Sequence, residues 1–104
     1  MSSSLGAAVM ITWAGYGVIV DKVNEQPESL IIYISVPENS YHKDVNGNEM
    51  SGTYLAKIFK ERLTEMGIKR LVVKYQVRKG EHWTEDMCDA AKLSMKKTIY
   101  GSQY

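Results

Sequence analysis

Apolar positions along this chain follow two periods, and the switches between them divide it into elements. Residues 5–13, LGAAVMITW, alternate, with Leu5, Ala7, Val9, Ile11 and Trp13 on one face, which predicts a strand. YGVIVDKV (16–23) predicts a second strand, made polar toward its tip by Asp21, Lys22 and Asn24. EQPES (25–29) supplies a proline-bearing turn, and LIIYISV (30–36) is apolar on both faces. Such a run suits a third strand covered on at least one side and largely buried on the other. PENSYHKDVNGNE (37–49) reads as a polar connection with a turn signal at Asn46-Gly47.

From about Glu49 to Met66 the period becomes 3.6. Tyr54, Leu55, Ile58, Phe59, Leu63 and Met66 share a face, while Lys57, Lys60, Glu61 and Glu65 point away. Asn48 is placed to cap this helix, and Gly67 to end it in the left-handed conformation. IKRLVVKYQVRKG (68–80) returns to period two. Leu71, Val73, Tyr75 and Val77 form an apolar face; Arg70, Lys74, Gln76 and Arg78 form a basic one, interrupted by Val72. Thr84 then caps a second helix with Glu85 and Asp86 in its first turn, Lys96 and Lys97 in its last, and Gly101 at its end. Its inner stripe is Met87, Cys88, Ala91, Met95 and Ile99. The predicted order is β-β-β-α-β-α, a single α+β domain over residues 1–104. It has a mixed sheet with two helices packed on it, and Ser2 to Ser4 fall in a disordered N-terminus.

Composition narrows the function classes. At 104 residues the chain buries one core without staples, and 44% hydrophobic with 24% charged residues is ordinary for a globular domain. Thirteen Lys and Arg against twelve Asp and Glu leave a net charge of +1. That excludes an acidic nucleic-acid mimic and leaves any electrostatic footprint to local patches. The single cysteine, Cys88, forms no intrachain disulfide and no zinc pattern; beside Met87 and Ala91 it reads as a buried structural thiol. No apolar run approaches the ~18 residues of a membrane span. MSSS carries no basic residue of a secretory leader, so the expected compartment is intracellular and cytoplasmic.

Candidate chemistry is sparse. In WAGYGVIV (13–20), Gly15 or Gly17 suits a positive φ at a shortened hairpin, and a lone Gly-x-Gly with no following helix is not a phosphate cradle. DVNGNE (44–49) has Asp44, Asn46 and Asn48 at the first three ligand positions of a calcium loop. It then has Glu49 where the loop needs glycine and Leu55 where it needs glutamate, so it reads as a polar turn. His42 and His82 have no partner at ligand spacing and read as surface residues, which leaves no metal site. No nucleophile elbow, Walker or dinucleotide fingerprint is present, so no cofactor and no small-molecule substrate is implied.

The basic strand carries the strongest signal. Arg70, Lys74 and Arg78 recur on one face, joined by Gln76 and followed by Lys79, His82 and Trp83. Same-face side chains recur every ~6.6 Å, so this line suits phosphates, with Trp83 or a tyrosine as a stacking platform. The same pattern also describes a solvated strand face, or one paired with acids from a helix. Tyr16, Tyr41, Tyr100 and Tyr104 fall at turns or ends, where aromatics mark interfaces with a protein partner or a second copy.

Three joints carry a family likeness. AGYGVIV (14–20) looks like a glycine-aromatic-glycine approach to a second strand, and NGNEMSGTYLA (46–56) like an asparagine-rich lead into a first helix. LTEMGIKRLVVKY (63–75) looks like the passage from that helix into a fourth strand. Together, over roughly residues 8–80, they resemble the ribonuclease H-like superfamily; the helix-to-strand passage is also similar to that of ribosomal proteins with a related strand-helix order. The resemblance implies a ribonuclease H-like fold and a carboxylate cluster holding two Mg²⁺ ions. Where it places the acids, this chain reads Thr12-Trp13 at the end of the first strand, Thr53 ahead of Tyr54 in the first helix, and Gln76 in the fourth strand. None of these neutral side chains balances a divalent cation. The expectation is therefore a pseudoenzyme with no catalytic residues: a binding module acting as adaptor, assembly component or inhibitor through a protein partner or homodimer. RNA binding of ribosomal type is an alternative, and a divergent nuclease using Asp21 and Glu49 is another.

Overall fold

The computed structural model describes residues 6–101, apart from the side chains of residues 7, 81, 82 and 98–101. Expectations placed on residues 1–5 and 102–104, and on the side chains of His82, Ile99 and Tyr100, lie outside the described residues. The elements run α1 (Ala7–Ala14), β1 (Ile19–Glu25), β2 (Leu30–Lys43), β3 (Glu49–Ser51), α2 (Gly52–Glu65), β4 (Leu71–Trp83) and α3 (Glu85–Gly101). The class is α+β with a mixed sheet, as expected, but the order is α-β-β-β-α-β-α. Among the described residues, no helix is long and apolar enough to cross a membrane.

The first element is a helix where alternation predicts a strand. Its apolar run is short enough to satisfy both periods, and the positions that become buried are Met10, Trp13 and Ala14, the i, i+3, i+4 pattern of a helix. Alanine and methionine favour that choice. The helix sets the Trp13 ring edge-on to Phe59 of α2, with centroids 5.5 Å apart. It ends in the GYG turn, where Gly17 takes φ +92° and Gly15 does not leave the right-handed region. The glycines therefore close a helix rather than a hairpin.

Residues 37–43, expected as a connection, continue β2. Their polarity reads as loop in isolation, but neighbouring strands satisfy their backbone: Pro37 and Asn39 pair with β4, and Asn39 and Lys43 with β3. Pro37, lacking an N–H, sits where the β2–β4 register shifts. Only 44–48 forms the turn, in which Asp44 Oδ1 accepts from the backbone of Asn46 and Asn48 at 2.9 and 3.0 Å. The polar-turn reading of DVNGNE holds.

Strand β2 is central. Its residues 30–35 pair antiparallel with β1 and parallel with β4, so those strands lie on opposite edges. Asn39 pairs with both Ser51 and His82, which puts β3 on the β1 side. Strand β4 is thus an edge strand, and among the described residues nothing pairs with its outer side. Helix α2 packs on β2 and β4, and α1 packs on α3. Leu55, Phe59 and Leu63 of α2 meet Ile32, Ile34 and Val36 of β2 in the core, all fully buried. Tyr54 and Met66, assigned to that stripe by period, lie at its margins and are exposed. Ser51 rather than Asn48 caps α2, accepting from Tyr54 N at 3.2 Å. Gly67 ends this helix region at φ +90°, as expected. Thr84 caps α3 as expected, accepting from Met87 N at 3.3 Å.

Candidate binding face

Because α2 covers one side of the sheet, alternation sends Ile31, Tyr33 and Ser35 to the other. Register brings a neighbour from each flanking strand beside them. Lys22 and Lys74 flank Tyr33, Asn24 and Val72 flank Ile31, and Gln76 lies beside Ser35. A bulge between Val20 and Lys22 turns Asp21 onto the same face. Ser35 Oγ donates to Asp21 Oδ2 at 2.5 Å and accepts from Gln76 Nε2 at 3.0 Å, a polar ladder across three strands. Above it, the ammonium groups of Lys22 and Lys74 lie 5.8 and 5.9 Å from the Tyr33 ring centroid. A shallow hollow of about 430 Å³ opens among Lys22, Tyr33, Lys74 and Gln76.

The predicted basic line is redistributed. Arg70 precedes β4 at φ +56°, and its Nη1 donates to Pro27 O at 3.2 Å. Lys74, Gln76 and Lys79 are exposed. Arg78 turns inward, its Nη2 donating to Gly17 O at 2.8 Å and its guanidinium 4.5 Å from the Trp83 ring. Trp83 is buried, so it does not serve as a stacking platform. His82 contributes a backbone pair with Asn39, and its side chain lies outside the described residues. Among the described residues of the predicted line, Lys74 and Gln76 alone face the open hollow. The residues missed, Lys22 and Tyr33, sit on other strands; no spacing in the chain signals a cross-strand triad.

The buried end of the sheet holds a second polar network. The Gly15 carbonyl accepts from Cys88 Sγ at 3.0 Å and from His42 Nε2, and Trp83 Nε1 donates to Cys88 Sγ. Burial pushes the Cys88 thiol above its ordinary range, against the opposing pull of the Trp83 hydrogen bond. A protonated, enclosed thiol is the structural cysteine expected. His42 is half-buried between the rings of Tyr16 and Tyr41, at centroid distances of 4.5 and 3.9 Å, rather than a surface residue.

The positions that the resemblance assigns to acids are dispersed. Thr12 and Thr53 lie on different helices, Trp13 is in the core, and Gln76 is in the polar ladder. Asp21 adjoins Ser35, whereas Glu49 pairs with Lys43. Those stations on β2 are roughly 26 Å apart at 3.3 Å per residue, so these acids do not share an ion. Among the described residues, no three His, Cys, Asp or Glu side chains are grouped to hold a metal. No protein-family model, curated protein or solved structure matches the chain.

Proposed function

We propose that this chain is a non-catalytic binding module, ribonuclease H-like in its motifs, that holds single-stranded nucleic acid across the open face of its sheet. The row Lys22–Tyr33–Lys74 carries this reading. Strands spaced ~4.8 Å apart set the two lysine backbones about 10 Å from one another, astride an aromatic ring. Each ammonium exchanges its contact with the ring for a phosphate, and this frees the ring for a base. Among the described residues, the face presents no helix or ribbon to enter a duplex groove, which favours an unpaired strand.

Fluorescence anisotropy with a labelled single-stranded oligonucleotide at low salt tests it. Lys22→Ala with Lys74→Ala should weaken binding at least tenfold and reduce the slope of log K against log salt by about 1.4, for two phosphate contacts. Tyr33→Ala should weaken binding by roughly 1–3 kcal/mol. Absence of binding at low salt, or a double variant that binds like the parent, overturns the reading.

A protein partner is the second reading, favoured by a concavity of about 1000 Å³ between α1, α2 and the β2–β3 turn. Exposed Tyr54 and Met66 border it, and so does Val45, which projects from the turn into solvent. An adaptor or inhibitor acting there would lose its partner on Tyr54→Glu and keep it in the double lysine variant. Retention of the partner by Tyr54→Glu would count against that surface.

A further inference from the structure

We infer that two copies of this chain pair through the outer edge of β4, antiparallel about a two-fold axis at Tyr75. Leu30 N donates to Arg70 O, so the Arg70 carbonyl points toward β2 and the next N–H, that of Leu71, points away. Groups alternate along a strand, so Leu71, Val73, Tyr75 and Val77 direct both N–H and C=O to the outer edge.

The edge is open rather than guarded. From Leu71 to Val77 it holds no proline and a single charge, Lys74, while Tyr75 and Val72 are 46% and 38% exposed. The outer edge of β1 is shorter, carries Asp21, Lys22 and Glu25, and is bent by its bulge.

Charge then selects the register. Self-pairing centred on Val72, Lys74, Gln76 or Arg78 sets like charges opposite one another: Arg70 on Lys74, Lys74 on itself, Lys74 on Arg78, or Arg78 on itself. Centres at odd positions avoid this. A centre at Val73 runs into the kinked Arg70, and one at Val77 crosses Gly80 at φ +79°, where the β2–β4 register has shifted. A centre at Tyr75 keeps regular strand from Leu71 to Lys79. It sets Val73 against Val77 of the second copy, Lys74 against Gln76, and Tyr75 against itself, with cross-strand apolar and aromatic pairs on the α2 side of the sheet. A two-fold perpendicular to the sheet also brings the two open faces onto one side. The pairing itself does not depend on what those faces bind.

Sedimentation of the full chain over a concentration series should show a monomer–dimer equilibrium without nucleic acid. Gln76→Lys, which places lysine opposite Lys74, should lower the association constant at least tenfold, and Lys74→Glu with Gln76→Lys should restore it. A cysteine pair directly opposite on a hydrogen-bonded site has Cα atoms about 5.5 Å apart, within disulfide reach. Tyr75→Cys should therefore cross-link to its own copy on oxidation. Lys79→Cys should not, being roughly 26 Å from its counterpart. The native thiol is buried and does not compete. A monomer throughout the series, or cross-linking at Lys79→Cys but not Tyr75→Cys, overturns the inference.

Discussion

The guanidinium of Arg78 lies 4.5 Å from the ring of Trp83, and it spans from the edge strand to the Gly17 carbonyl at the end of α1's turn. This contact ties β4 to a segment 61 residues away in the chain. It makes Arg78 a structural cation, while Lys74, on the same strand face, stays at the surface.

Arg78→Ala should therefore destabilise the fold by about 2–3 kcal/mol, the worth of a charged hydrogen bond with a partly desolvated cation–π contact. Lys74→Ala should change stability by less than about 0.5 kcal/mol. Arg78→Lys should recover little of the loss, because an ammonium matches neither the fork nor the stacking. Urea unfolding of the three variants checks this; equal stabilities for the two alanine variants would refute the assignment.

The GYG turn makes a sharper distinction between glycines. A Cβ on Gly17 would meet Pro37 Cγ and Trp83 Nε1 at 2.9 Å, on a backbone at φ +92°. One on Gly47, at φ +85°, would meet nothing within 4 Å. Gly17→Ala should cost upwards of about 3 kcal/mol, from left-handed strain and overpacking together, and Gly47→Ala about 1 kcal/mol. Thermal denaturation of the pair measures the difference.

Cys88 links the same region to pH. Its folded-state pKa is raised, mainly by burial, so the native state holds its proton to higher pH than the unfolded chain does. The contribution is fully present below the unfolded thiol value, about 8.5, and is lost as pH rises from there through the raised native value. Stability of the parent should fall over that alkaline range more steeply than that of Cys88→Ala, as followed by urea midpoints. A thiol reagent at neutral pH should react with Cys88 only on unfolding; rapid reaction with the native protein would contradict its enclosure.

Much of the local structure was legible in the chain. Gly67 as a helix stop, Thr84 as a cap, the turn at Asn46-Gly47, and the α2 residues Leu55, Phe59 and Leu63 follow from period and capping chemistry, which act over a few residues. The first helix was not, because an apolar run of that length satisfies both periods and its packing against α3 and Phe59 of α2 chooses between them. The second half of β2 was not, because its ladder partners are remote in sequence.

The candidate site divides along the same line. The sequence alone determined that β4 would alternate a basic and an apolar face, since side-chain direction in a strand is a property of the backbone. Which of those cations stays in solvent, and that Lys74 shares a ring with Lys22 on Tyr33, was decided by strand register and by the inward turn of Arg78. Register and burial are set by packing between elements far apart in the chain, and no local pattern encodes them.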